Sequence, residues 1–220
     1  MKKLFIANWK SNKTQKEAEQ WFTDFKIELD ENQEIAIAPP YPLLSLTAKK
    51  IKDLSRVSLA VQDLSAYSAG SYTGEVCVKN LTGFGVKYAI LGHSERRHYL
   101  KESHQDVADK ISQCLAGNII PIVCVDQDYM RDQAQLIRPD LLSQCVVAYE
   151  PLAAIGTGKI APVNEVAKVV TEIKSIFGEV LVLYGGSINS ENIAPYLKTT
   201  DGVLVGGASL KIATFSLLFQ

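Results

Sequence analysis

Eight short, nearly continuous apolar runs recur along this chain, and they constrain its fold more than any other feature. They lie at LFIANW (4–9), EIAIAP (34–39), VSLAVQ (57–62), YAILGH (88–93), IIPIVCV (119–125), CVVAYE (145–150), VLVLYG (180–185) and GVLVGG (202–207). A strand with one wet face alternates apolar and polar residues. A strand apolar at nearly every position is buried on both faces, as in a parallel sheet covered by helices. Helical stripes lie between the runs: Ala18, Trp21, Phe22, Phe25 and Leu29; Val107, Ile111, Cys114 and Leu115, closed by Gly117; and Val166, Val169, Val170, Ile173 and Phe177. Pro162 suits the start of the last stripe and Gly178 its end. Strand–helix alternation repeated eight times predicts a (β/α)8 barrel, with an open doubly wound sheet as the alternative.

The remaining bulk properties narrow the function. No linker, low-complexity tract or strong repeat divides the 220 residues, so one domain over 1–220 is expected. A net charge of -1 gives no electrostatic footprint for nucleic acid or an acidic membrane. No run reaches transmembrane length, and the opening MKKLFIANWKSNK turns polar too soon for a signal peptide, so a cytoplasmic protein is expected. Cys77, Cys114, Cys124 and Cys145 form no CxxC pair and no metal-ligand spacing; Cys124 and Cys145 read as small buried thiols, and no metal is expected.

In a barrel of this kind the reactive groups collect at the C-terminal ends of the strands. Here strand one ends Asn8-Trp9-Lys10, with Asn8 and Lys10 on one face because they are two apart. Strand four ends Gly92-His93-Ser94-Glu95-Arg96-Arg97, and strand six ends at Glu150. Strands seven and eight end in the glycine pairs Gly185-Gly186 and Gly206-Gly207. Taken singly, each has a plain reading as a solvated lysine, a structural histidine, half of an ion pair or a turn. Unrelated accidents would scatter over both ends of the barrel; these gather at one.

The stretch Gly156-Thr157-Gly158-Lys159-Ile160-Ala161 fits a loose G-x-G-x-x-A dinucleotide pattern, but it neither follows a strand directly nor opens a helix before Pro162. The Walker A pattern fails at Ile160, where Ser or Thr is required.

With these residues assembled, the chain resembles the triosephosphate isomerase family over almost its whole length. The resemblance is carried, in order, by ANWKSN (7–12), GHSERR (92–97), AYEPLAAIGTGK (148–159), YGGSI (184–188) and VGGASLK (205–211). It implies cofactor-independent interconversion of dihydroxyacetone phosphate and D-glyceraldehyde 3-phosphate through an enediol, in glycolysis and gluconeogenesis. Glu150 is implied as the base, His93 as a neutral donor whose pKa the following helix N-terminus lowers, and Lys10 and Asn8 as a fixed charge and a neutral donor beside the substrate oxygens. This assignment of acid and base roles is a standard worked case of tuned groups. The resemblance further implies a phosphate held by backbone N–H groups around Ser187, Gly206, Gly207 and Gly156. Ser94 is implied to hold Glu150 in the empty site. Glu95 would support Lys10, or else pair with an arginine of its own block. The 62–75 segment, with Thr73, is implied to enter a neighbouring subunit of a homodimer. Residues 154–157 are implied to form a lid that keeps water from the enediol.

The chain departs from the family pattern in three places. Ala153 stands where the hinge usually has tryptophan. Asp126-Gln127 stands where Gly-Glu is usual after the strand-five cysteine, which points to an altered balance of the lid. The chain is also about 30 residues short of a typical ~250-residue barrel. The shortening is expected in the helices after strands five and six, with only a short helix over 128–136 that Pro139 helps to end. The competing readings are another sugar-phosphate isomerase barrel and an altered barrel that only binds a phosphometabolite or partner. Neither accounts for Asn8, Lys10, His93 and Glu150 together. A metal-dependent hydrolase lacks the strand-end histidines and carboxylates it would need.

Overall fold

The structure is a computed structural model that describes residues 2–151 and 160–220. Eight parallel strands close on themselves in chain order. They are β1 (Lys3–Asn8), β2 (Gln33–Ala38), β3 (Val57–Val61), β4 (Val86–Leu91), β5 (Ile120–Val125), β6 (Val146–Tyr149), β7 (Val182–Tyr184) and β8 (Gly202–Val205). Closure runs through β1 and β8, where Leu4 pairs with Gly202 and Ala7 with Val205. The barrel, and not the open sheet, is therefore the fold.

The two-residue period of a strand explains why the runs are apolar throughout. Leu4 and Ile6, Ala36 and Ala38, Ile122 and Cys124, and Val146 and Ala148 belong to a cluster of thirteen residues that fills the barrel. The alternate residues, such as Phe5, Ile35, Val123 and Val147, belong to the larger core between barrel and helices. The same parity continues past the strand ends. Asn8 follows Leu4 and Ile6, and Glu150 follows Val146 and Ala148, so both are directed to the barrel's C-terminal mouth.

The outer layer is α1 (Gln15–Thr23), α2 (Leu44–Ile51), α3 (Ser94–Leu100), α4 (His104–Ala116), α5 (Met130–Leu136), α6 (Pro139–Leu142), α7 (Val163–Phe177), α8 (Ile193–Thr199) and α9 (Ile212–Ser216). Thr14 with Glu17, and Ser103 with Asp106, form capping boxes that start α1 and α4. Two expectations need correction. The first stripe stops being helical at Thr23, and Phe25 and Leu29 pack on the core from irregular chain. The layer after β5 is short, as expected, but Pro139 starts α6 instead of ending the segment, because proline at the first helical position gives up no needed N–H. After β6, α7 runs between Pro162 and Gly178 as its stripe and ends predict, with Val166, Val169, Val170, Ile173 and Phe177 buried. Between β3 and β4 the described chain carries only a 3-10 turn at Val78–Leu81 besides the 62–75 segment.

Candidate active site

The C-terminal mouth holds a cavity of about 380 Å³ lined by Asn8, Lys10, His93, Glu150, Ser187 and Gly206, with Gly207 beside them. Residues far apart in sequence reach it because each ends a different strand. Lys10 turns into it with a left-handed backbone, φ 51°, a conformation a side chain normally avoids. Its N–H donates to Asn8 Oδ1 at 3.1 Å, which ties the turn to the strand end.

Two glycines make room for the charged groups. A Cβ on Gly185 would stand 2.8 Å from Glu150 Cγ, and one on Gly206 would stand 3.1 Å from Lys10 Cε. The glycine pairs thus serve the base and the lysine as well as the turns.

Glu150 is 2 % exposed. Its N–H donates to Val125 O at 2.8 Å, extending the β5–β6 pairing, and the Ser94 N–H donates to Oε2 at 2.9 Å. Oε1 stands 3.0 Å from His93 Nε2. Burial alone would raise the pKa of this carboxyl; His93, the Ser94 N–H and Lys10 outweigh burial and hold it below its ordinary value. It is Ser94's backbone that holds the base, while the buried Ser94 hydroxyl has no hydrogen-bond partner among the described residues.

His93 caps α3. Its Nδ1 accepts from the Glu95 N–H at 3.2 Å, which leaves the proton on Nε2. The expected lowering of its pKa is not what the structure gives. Burial does disfavour the charged ring, yet the Glu150 carboxylate, with Glu95 behind it, carries the pKa above its ordinary value. The helix N–H fixes the tautomer, and the neighbouring carboxylate sets the direction of the shift.

Lys10 Nζ meets Glu95 Oε1 at 2.6 Å, so Glu95 supports Lys10. It pairs with no arginine among the described residues; Arg96 instead binds Asp63 and Glu102. Thr73 is exposed and does not line the cavity. Gly156 and Ala153, with the lid expected at 154–157, lie outside the described residues. Asp126, in place of the family's glycine, is buried at the end of β5 and accepts from the Asp128 N–H at 2.9 Å.

Several contributors were not singled out from sequence. Asn189 and Asn192 line the cavity, and Asn192 Nδ2 donates to Ser187 O at 3.0 Å, bracing the β7 loop. The N-S-E-N spacing at 189–192 is the signal, since such side chains favour turns. Tyr184 and Tyr196 stack at 4.5 Å and grip Ala161 from both sides. The Ala161 N–H donates to the Tyr184 hydroxyl at 3.0 Å, and the Tyr196 hydroxyl donates to Ala161 O at 2.6 Å. No local sequence signal marks this grip.

A closed (β/α)8 barrel with a buried carboxylate, an imidazole, a lysine and glycine-rich turns at its C-terminal mouth defines a barrel enzyme of the acid–base, phosphate-binding kind. The family whose model matches this chain is triosephosphate isomerase, over residues 3–220. Similar proteins include the triosephosphate isomerase of Mesomycoplasma hyopneumoniae, 39% identical over 96% of this chain and 95% of its own length. That of Mesomycoplasma hyorhinis is 40% identical over 97% and 96%. That of Thermus thermophilus is 37% identical over 100% and 99%. The chain belongs to the triosephosphate isomerase family.

Proposed function

We propose that this protein interconverts dihydroxyacetone phosphate and D-glyceraldehyde 3-phosphate, a reading supported by relatives named triosephosphate isomerase. The observation that carries the reading is the Glu150 carboxylate, buried, ionised and directed into a cavity that His93 and Lys10 also line. Isomerisation moves a proton between adjacent carbons and is balanced without a cofactor.

Glu150 takes the proton from the carbon beside the carbonyl and returns it to the neighbouring carbon. Its dry surroundings keep water from competing for that proton. His93 gives its Nε2–H to the carbonyl oxygen as negative charge gathers there and takes back the proton of the neighbouring hydroxyl, so the oxygens exchange roles as the carbons do, with Lys10 and Asn8 adding a fixed charge and a neutral donor. Substrate entering between His93 and Glu150 separates the pair and removes the main cause that raises the histidine's pKa. The neutral donor then belongs to the occupied site. The phosphate is bound by the backbone around Ser187, Gly206 and Gly207, with Gly156 completing it. Gly207 leaves open space where a side chain would stand, which suits close approach of an anion to the backbone.

We further propose a cytoplasmic homodimer acting in glycolysis and gluconeogenesis, paired through the 62–75 segment with Thr73. Tyr67 and Tyr72 stack at 4.4 Å on that segment while 52% and 45% exposed, an aromatic knob suited to a second surface. Light scattering reads the mass directly, and a monomer at every concentration would remove this part of the reading.

The deciding experiment is a coupled isomerase assay on wild type and Glu150→Gln. The expected loss in the variant is at least about 10³-fold in kcat, the scale of a general base. A folded wild type without activity would overturn the assignment.

A further inference from the structure

Arg97 is the best-connected side chain near the mouth that the proposed reaction does not use. Its Nε donates to Gly92 O at 2.8 Å, Nη2 to Gln133 Oε1 at 2.7 Å, and Nη2 reaches Cys124 O at 3.5 Å. Its guanidinium carbon lies 4.7 Å from the Tyr129 ring centre. The Arg97 N–H donates to His93 O at 3.1 Å. Side chain and backbone together therefore hold the carbonyls of Gly92 and His93, the turn that aims the imidazole. Gly92 has φ 67°, and a Cβ there would stand 2.5 Å from Arg97 Nη2, so the turn is shaped around this guanidinium. Among the described residues no carboxylate pairs with Arg97; all its partners are neutral.

One of those partners can gain a charge. Arg97 Nη1 lies 2.8 Å from His104 Nδ1. A guanidinium has no acceptor, so His104 Nδ1 must accept, and the imidazole proton is on Nε2. The same Nδ1 lies 3.3 Å from Gln133 Oε1, an oxygen it cannot bond while unprotonated. Protonation at Nδ1 reverses the arrangement. His104 then donates to Gln133 Oε1, competing with Arg97 Nη2 for that oxygen, and sets a like charge against the guanidinium. Gln133 is fully buried and its Nε2 donates to His104 O at 3.0 Å, so it cannot move away from either claimant.

We propose that Arg97 is a positioning residue for His93, and that the charge on His104 decides whether Arg97 can hold it. The proposal rests on the isomerase reading for its effect on rate, though not for its structural coupling. Around His104 the charged and titratable groups are Arg97 from α3 and Tyr129 from the start of α5, 5.3 Å ring to ring. The charges of Arg97, and against it Glu150 and Asp126, also reach Tyr129. Arg97 is the group that contacts the His104 ring nitrogen, and a positive charge on that ring opposes it directly.

The test uses the whole protein. The chain has three histidines, His93, His98 and His104, so ring resonances are assignable by substitution. In wild type, the His93 ring signals are expected to shift in step with those of His104 as the pH is lowered. In His104→Asn, which keeps an oxygen acceptor for Arg97 but no titrating charge, that step should vanish. Wild-type kcat should fall relative to His104→Asn by about tenfold per pH unit below the His104 titration, with KM following the same course in both. Arg97→Lys keeps the charge and loses the fork, so kcat should drop at every pH while the protein still melts cooperatively. If the asparagine variant does not fold, the wild-type ring titrations decide alone. A His93 ring that ignores the His104 titration overturns the proposal, as do superimposable kcat profiles for wild type and His104→Asn. An inactive wild type would instead sink the isomerase assignment, and the coupling between the two rings would still be read by NMR.

Discussion

His93 Nε2 stands 3.0 Å from Glu150 Oε1, so the donor and the base hold one another. Burial penalises both charges, but the contact carries the histidine's pKa up and the carboxyl's down. A raised histidine contributes stability that is complete below its unfolded value, about 6.5, and is lost as pH rises through the folded value. A depressed carboxyl contributes above its unfolded value, about 4.5, and loses it as pH falls through the folded one. The contact should therefore stabilise the fold most between those two values. Ring NMR of Glu150→Gln should show the His93 titration moved to lower pH than in wild type. An unmoved titration would mean that the carboxylate is not its main charge partner.

Lys10 is the cation nearest the proposed substrate oxygens, and Glu95 holds it at 2.6 Å. Its left-handed backbone is a strained conformation of the kind that clusters at active sites. Lys10→Met should cost about 10²–10³-fold in kcat/KM, the scale of losing one preorganised electrostatic group. Glu95→Gln keeps a hydrogen-bond acceptor and should cost about tenfold at most. Equal losses in the two variants would show that Glu95 acts on substrate directly and not through Lys10.

The barrel and the gathering of Asn8, Lys10, His93 and Glu150 were legible because both depend on strand parity and strand ends, which a sequence displays. Glu95's choice of Lys10 over an arginine was not, because three-dimensional reach selects among plausible partners. The helix α7 was legible, since Pro162, its apolar stripe and Gly178 mark its start, face and end. The Tyr184–Tyr196 grip on Ala161 and the Arg97–His104 contact join segments far apart in sequence through side chains. No periodicity marks a polar group that is satisfied by a distant element.

At the opposite end of the barrel, Glu34 is buried and accepts from Lys2 at 2.5 Å, Lys87 at 2.5 Å and Ser58 at 2.9 Å. Burial works against its ionisation, and these three partners overcome it, drawing the carboxyl from 4.5 to about 2. A depressed carboxyl stabilises the fold above its unfolded value, and that stability drains away as pH falls from about 4.5 towards about 2. Lys2 and Lys87 are half-exposed, so solvent screening leaves about 1–2 kcal/mol at neutral pH. Urea melts at about pH 6 and about pH 3 should show wild type losing that much more than Glu34→Gln. Parallel losses in the two proteins would place the acid sensitivity elsewhere.

Barrel closure depends on one glycine. Gly202 opens β8 beside Leu4 with φ 152°, and a Cβ there would lie 1.9 Å from Leu4 O and 2.8 Å from Leu4 N. The obstacle is the backbone of the partner strand, which cannot turn aside without breaking the β1–β8 pairing. Gly178 also has a positive φ, 86°, at the end of α7, but a Cβ there would meet nothing within 4 Å. The two positions separate collision from conformational strain. Gly178→Ala should cost about 1–3 kcal/mol, the strain of a side chain at φ 86° and ψ -160°, a backbone conformation that is essentially glycine's alone. Gly202→Ala should cost clearly more than Gly178→Ala or leave the chain unfolded, since collision with the partner strand adds to strain there. Urea midpoints measured side by side decide it. Equal shifts would mean that β1 and β8 can part at this point, and that the barrel is held closed further up, where Val203, Leu204 and Val205 pair with Phe5, Ile6 and Ala7.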